Sequence, residues 1–197
     1  MAENKGFSGQ APILTLTLNP ALDMASMVPK MIPDEKLRCS EPQLDPGGGG
    51  LNVSRAVHAL GGDSLALVAL GGLTGDRLAE LIRREGVMFL GITGPGETRQ
   101  SLTVTAEDTG QQFRFMLPGP VWSEADQDRV FMLLRASARS GAIAVISGSV
   151  PPGLAADATT QLAAASRAVL DDQHYQALKA LRSLLPREER LFAAGRA

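Results

Sequence analysis

Four consecutive glycines, Gly47 to Gly50, lead straight into a segment of helical periodicity, and this constrains the fold more than any other feature of the chain. From Leu51 to Leu60 the apolar residues Val53, Ala56, Val57 and Leu60 recur at helical spacing, and Gly61-Gly62 supplies a stop. A run without Cβ atoms lets backbone N–H groups approach a ligand closely, and the helix N-terminus adds favourable potential for anions or hydroxyl oxygens. On composition alone, a flexible loop is the alternative. The run matches neither G-x-x-x-x-G-K-[ST] nor G-x-G-x-x-G, which excludes nucleotide sites of those two kinds.

The segments around the glycines alternate. Ile13 to Leu18 reads as a buried strand halted by Asn19-Pro20, so a loop begins at its carboxyl end. Leu65 to Leu70 predicts a second strand, Gly75 to Arg84 a helix with Leu78, Leu81 and Ile82 on one face, and Gly86 to Ile92 a further strand. This βαβ rhythm implies a mostly parallel sheet with helices on both faces. Lys36 to Leu44 is more polar, and Pro42 marks it as an edge strand. Arg99 to Ala106 and Gln111 to Leu117, separated by Glu107 to Gly110, predict an antiparallel hairpin. These strands, near 36–44 and 98–117, are expected to form a small β-lid standing off the main sheet. Ser123 to Arg139 predicts a helix with Ser123 as N-cap, followed by a strand from Ala142 to Ile146 and the turn-rich loop Ser147 to Gly153. Helices are expected near Asp157 to Val169 and Gln173 to Leu185, with Pro186 breaking the second. The expected division is a flexible leader over 1–12, one α/β region over 13–154, and a helical tail over 155–197.

Charge and cysteine usage narrow the partners. A net charge of −2 and a pI near 5.7 leave no basic footprint for nucleic acid or anionic lipid. Cys39 is the only cysteine, so neither an internal disulfide nor a C-x-x-C site can form, and a reducing cytoplasm is expected. Met1 to Pro12 lacks the pattern of a signal peptide, and the most apolar stretch, Ser64 to Leu70, falls far short of the roughly 20 residues of a membrane span.

In open α/β sheets ligands collect beyond the carboxyl ends of the strands. Asn19 to Asp23, Gly71-Gly72 and Ser147 to Gly153 occupy such positions, with the glycine run beside them. A carboxylate at Asp23 can accept hydrogen bonds from two neighbouring sugar hydroxyls, the alternative being an aspartate that only stabilises a turn. His58 and His174 lack metal-ligand spacing, no Ser-His-Asp arrangement is apparent, and Asp76 fits the ordinary preference for an acid in a first helical turn. Lys36, Arg38, Arg99 and Arg114 lie on the expected lid and can reach a phosphate, or can serve only to block edge pairing.

Leu16-Thr17-Leu18-Asn19-Pro20-Ala21-Leu22-Asp23, the segment from Gly47 to Ala56, Thr98-Arg99-Gln100 and the segment from Ser147 to Gly153, in this order, resemble the PfkB carbohydrate kinases. Within that family the pattern is most similar to the ribokinase-type ATP-dependent 6-phosphofructokinases. The 1-phosphofructokinases and tagatose-6-phosphate kinases commonly carry Lys where this chain has Gly49, and Phe113 to Gly119 also leans toward the 6-phosphofructokinases. The resemblance runs from about Ile13 to about Leu154. It implies a ribokinase-like three-layer α/β fold with a β-lid, here C-terminally truncated, and phosphorylation of fructose 6-phosphate with ATP and Mg²⁺. By resemblance Asp23, Gly48, Gly49 and Asn52 hold sugar hydroxyls, while Lys36, Arg38, Arg99 and Ser149 surround the sugar and its phosphate. It further implies a homodimer joined through the lids. The family's base is the Asp of a Gly-Ala-Gly-Asp segment, which does not occur in this sequence. A non-catalytic sugar-phosphate-binding remnant is therefore the alternative expectation.

Overall fold

In the computed structural model, which describes residues 11–137, 142–155 and 157–167, the alternating Leu and Thr residues of β1 (Ile13–Thr17) serve two buried faces. Leu14 and Leu16 point to one layer; Thr15 and Thr17, at most 1% exposed, point to the other. Buried hydroxyls need partners. Thr15 Oγ1 lies 2.8 Å from Ser54 Oγ, and Thr17 Oγ1 accepts the Leu51 N–H at 2.8 Å, both from helix α1 (Gly49–Ala59).

Strand β1 is central in a parallel sheet. It pairs with β4 (Ser64–Leu70) on one side and β8 (Ile143–Ile146) on the other, and β5 (Phe89–Thr93) extends the β4 side. Leu51, Ala66, Val68, Leu78, Ile82 and Val87 form the core beneath α1 and α2 (Gly72–Arg84). The opposite face packs Leu14, Leu16, Leu67 and Ala69 against Trp122, Val130, Leu134 and Leu162, supplied from the approach to α3 (Glu124–Ser137), α3 itself and α4 (Ala158–Arg167). The result is the α/β/α layering expected of the βαβ rhythm. Ser123 caps α3 as predicted: its Oγ accepts the Asp126 N–H at 3.3 Å, while Asp126 Oδ2 accepts the Ser123 N–H at 2.8 Å.

A second sheet holds β3 (Gln43–Gly47), β2 (Ala21–Val28), β6 (Arg99–Ala106) and β7 (Gln112–Met116), in that order. The 99–117 hairpin forms as expected, and β3 is an edge strand, as Pro42 foretold. Four details of the expectation change. Residues 21–28, of which Ala21 to Asp23 are expected in a loop and the rest carry no assignment, form β2, the strand on which the sheet is built. Of the expected lid segment 36–44 only Gln43 and Leu44 are strand, at the start of β3; Lys36 and Arg38 lie before it in an irregular stretch where Asp34 has φ 61°. That stretch is tied down at Ser40, whose hydroxyl accepts from Met27 N at 3.1 Å and whose N–H donates to Met27 O at 2.9 Å. Helix α2 also begins at Gly72 rather than Gly75, and β5 begins at Phe89 after the left-handed Gly86 (φ 75°). The helix expected near 173–185 lies outside the described residues.

Candidate functional site

The two sheets meet at the carboxyl end of β1, and cross-strand register decides what faces the junction. Strand β2 runs parallel to β6, placing Asp23 opposite Ser101 and Ala21 opposite Arg99; it runs antiparallel to β3, placing Asp23 opposite Asp45 and Ala21 opposite Gly47. Side chains alternate with period two, so Asp23, Asp45, Arg99 and Ser101 share one face. Gly47 belongs to this face because a Cβ there would overlap the Asp23 carboxylate. Asp23 therefore stands on a strand, not in a loop, which fixes its direction far better than the Asn-Pro turn before it would.

The glycine run lines the floor. Gly48 has φ 136°, outside the range comfortable for an L side chain, and a Cβ on it would lie 2.5 Å from Thr17 Cγ2. A Cβ on Gly49 would lie 2.5 Å from Ser147 Oγ and 2.7 Å from Gly148 N. The backbone thus presses against the β8 loop, where Gly50 N–H donates to Ser147 O at 3.1 Å. The first N–H groups of α1 divide accordingly. Those of Gly50, Leu51 and Asn52 are taken by Ser147 O, Thr17 Oγ1 and Gly48 O, whereas those of Gly48 and Gly49 have no acceptor among the described residues. Two open donors at a helix N-terminus are suited to hydroxyl or anionic oxygens. Exposed Asn52, one turn N-terminal to Arg55, accepts from Arg55 Nη1 at 3.4 Å. Arg55 also donates to Pro46 O at 3.0 Å and forms a two-nitrogen fork with Glu85 at 2.6 and 2.7 Å, bracing the end of β3 against α2's C-terminus.

Asn19 gathers three segments. Its carbonyl accepts from Arg99 Nε at 3.2 Å, its amide donates to Ser149 Oγ at 3.0 Å, and its Oδ1 fills the space where Gly119 lacks a Cβ. A small depression beside it is lined by Pro20, Gly71, Gly96, Thr98, Arg99 and Trp122. Among the residues expected to bind, Asp23, Gly48, Gly49, Arg99 and Ser149 are brought to this junction. Lys36 and Arg38 are exposed and form no hydrogen bond or ion pair among the described residues. Asn19 lies in the loop the sequence marks as part of the pocket, without a role of its own there; Ser101 and Asp45 the sequence does not mark. These two are available only through the i, i+2 spacing from Arg99 and to Gly47, which acquires meaning once the strand pairing is known.

Electrostatics leave the junction unsatisfied. Burial raises the Asp23 carboxyl above its ordinary value; the Ser101 hydroxyl, Arg99 and Arg55 pull it down without cancelling that effect, and Asp45 adds to the rise. Burial likewise lowers Arg99, opposed by Asp23. Both charges therefore sit in surroundings that solvate them less well than water. A ligand with hydroxyl donors for Asp23 and an anionic group for Arg99 would relieve both costs.

The match to a family model fits this geometry: residues 17–186 match the pfkB family carbohydrate kinases. The chain belongs to that family. The match continues past Leu154, into the stretch that sequence reading set apart. An ATP-dependent 6-phosphofructokinase isozyme 2 of Mycobacterium tuberculosis is 50% identical over 149 residues, covering 76% of this chain and 44% of the relative. One from Escherichia coli K12 is 44% identical over 155 residues, covering 79% and 50%. A tagatose-6-phosphate kinase of Staphylococcus epidermidis is 33% identical over 150 residues, covering 76% and 48%. Thus the chain spans about half the length of the curated relatives it matches. Among solved structures, phosphofructokinase-2 from Escherichia coli in complex with fructose-6-phosphate superposes with a TM-score of 0.77 at 38% identity, covering 87% of this chain and 59% of that one. The ribokinase-like fold with its lid is thereby established. Phosphofructokinase-2 has also been solved in a tetrameric inhibited form.

Proposed function

We propose that this chain carries the sugar-phosphate-binding part of an ATP-dependent 6-phosphofructokinase, whose whole reaction transfers a phosphoryl group from ATP to fructose 6-phosphate. One observation carries the reading: a half-buried carboxylate and a half-buried guanidinium share one sheet face, Gly47 of the glycine run lies against that carboxylate, and the helix N-terminus that follows keeps two N–H donors without an acceptor among the described residues. Asp23 accepts from adjacent sugar hydroxyls, the N–H groups of Gly48 and Gly49 donate to sugar oxygens, and Arg99 offers a charge-assisted fork to the sugar's existing phosphate. Ser149, held by Asn19, and Asn52 complete the polar lining. Lys36 and Arg38, exposed on their irregular stretch, add positive potential from the rim. The absence of a side chain at Gly49 favours the 6-phosphofructokinase reading over the tagatose-6-phosphate and 1-phosphofructokinase alternatives, since any Cβ there would force the Ser147-Gly148 backbone to move.

ATP supplies the transferred group, and with it phosphate oxygens for Mg²⁺, which such sites hold through substrate phosphates, water and one or two carboxylates. Among the described residues no group of three or more His, Cys, Asp or Glu side chains is placed to hold a metal ion by itself. No described helix is long and apolar enough to cross a membrane. Work in a reducing cytoplasm suits the single exposed thiol, Cys39. The outer face of the lid sheet, which leaves Phe115 48% exposed, suits pairing with the lid of a second copy.

Two measurements test the reading. Calorimetric titration with fructose 6-phosphate, tagatose 6-phosphate and fructose 1-phosphate should give the tightest binding with the first; tightest binding of either competitor overturns the substrate assignment. A coupled assay of ADP formation from fructose 6-phosphate, ATP and Mg²⁺ should show no turnover by the 197-residue chain. Loss of a general base alone lowers rate by roughly 10²–10⁴-fold. Sustained ADP formation would mean that a carboxylate of this chain replaces the family's Gly-Ala-Gly-Asp aspartate.

A further inference from the structure

Helix α2 begins without a cap of its own. Its N-cap is Gly71, which offers no side chain, and its first turn contains no acidic residue. The missing acceptor comes from another element, the leg that carries the chain from β5 up into the lid. Glu97 Oε1 accepts the Thr74 N–H at 2.5 Å, and the Thr74 hydroxyl and backbone and the Leu73 backbone hold the Glu97 carboxyl below its ordinary value. Thr98 adds a reciprocal pair on Gly71: its N–H donates to Gly71 O at 2.8 Å, and its Oγ1 accepts the Gly71 N–H at 2.9 Å. Gly72, at φ 64°, makes room, because a Cβ there would overlap the Glu97 carboxylate. Arg99 follows directly and reaches Asn19 O at 3.2 Å.

We infer that Glu97 is a positioning residue: by capping α2 from the base of the lid, it fixes the place from which Arg99 meets the ligand's phosphate. This rests on the reading of Arg99 as the phosphate anchor. A cap drawn from α2's own preceding residue would stabilise the helix and leave the lid free. Because the cap comes from residue 97, docking the lid leg and completing the helix are one event. Glu97 is exposed and bonds to neither Asp23 nor Asn19, so its influence on the phosphate anchor passes along the chain through Thr98 to Arg99.

The test combines a ligand-free readout with a double-mutant cycle. In ¹⁵N spectra of the full chain, the Arg99 Nε–H signal, identified by its loss in Arg99→Lys, should exchange with water about tenfold faster in Glu97→Ala, the effect expected from losing a charge-assisted hydrogen bond. Glu97→Gln, which keeps an acceptor oxygen but not the charge, should fall between, and the α1 amides should be unchanged in both. In calorimetric titrations Glu97→Ala should weaken fructose 6-phosphate binding about tenfold, and Glu97→Ala/Arg99→Lys should bind no more weakly than Arg99→Lys alone. Unchanged Arg99 Nε–H exchange in Glu97→Ala overturns the inference, as does full additivity in the cycle. If wild type fails to bind fructose 6-phosphate, or Arg99→Lys leaves binding intact, the sugar-phosphate reading has failed instead, and the exchange measurement still decides the role of Glu97.

Discussion

The two sheets of this molecule are built on opposite economies of burial. Every strand of the β5-β4-β1-β8 sheet is parallel to its neighbours, and its central strands β1 and β4 are covered on both faces, with Leu67 and Val68 at 0% exposure. The β3-β2-β6-β7 sheet has mixed pairing, keeps a carboxylate and a guanidinium on one face, and leaves Phe115 exposed on the other. One sheet therefore supplies stability, and the other is the sheet to which we assign recognition. The seam between them runs past Asn19, Gly48 and Thr98, which bond or press against Arg99, Thr17 and Gly71.

The contrast can be broken most forcefully in the parallel sheet. Leu67→Ala should cost about 2–5 kcal/mol of unfolding free energy in urea, because it removes a fully buried side chain and leaves a cavity. A loss below about 1 kcal/mol would mean that this sheet is not the molecule's main core. At the seam, Gly48→Ala should cost roughly 1–3 kcal/mol through its left-handed backbone, and should lose sugar-phosphate binding as the glycine run moves off Thr17. Stability loss with unchanged binding would separate the glycine run from the site.

In the lid, a site substitution should act in the reverse direction. Asp23 has a folded-state pKa raised by burial, so its ionised form is less welcome in the folded chain than in the unfolded one. The penalty is present at neutral pH and is relieved as pH falls through the raised folded value. Asp23→Asn, which keeps a partner for Ser101, should therefore raise the melting temperature slightly at pH 7, and the gain should shrink on acidification. A gain that grows instead would show that the pairing with Arg99 outweighs burial. The smallest effect is expected at the outer lid face. Phe115→Ala should change monomer stability by no more than about 0.5 kcal/mol yet weaken self-association in sedimentation equilibrium. A large stability loss, or unaltered association, would remove this face as the proposed contact between copies.

What was legible in the sequence follows the same division. Strand β1, helix α1, strand β4 and the 99–117 hairpin could be read because their side chains follow one local period against one local environment. Strand β2 could not, since Pro20 precedes it and Asp23 and Ser26 interrupt its apolar pattern; it becomes a strand by pairing with β3 and β6, both distant in sequence. Lys36 was placed on a strand for the converse reason: a polar, extended-looking stretch carries no local mark of whether it finds a partner. Asp23 and Arg99 were recognisable by type and family pattern. Their company was not, because Asp45 and Ser101 reach Asp23 through cross-strand register, and Glu97 reaches α2 across a gap of 23 residues to Thr74.

The direct test of recognition by the lid face is calorimetric titration of fructose 6-phosphate into wild type, Asp23→Asn and Arg99→Lys under one buffer condition. Wild type should give a saturable isotherm. Asp23→Asn should lose about 1–3 kcal/mol of binding, because an amide cannot accept from two hydroxyls as a carboxylate does. Arg99→Lys should also weaken binding, since an ammonium cannot reproduce the planar fork. Equal affinity in all three proteins, or no binding by wild type, would contradict the assignment of recognition to this sheet face.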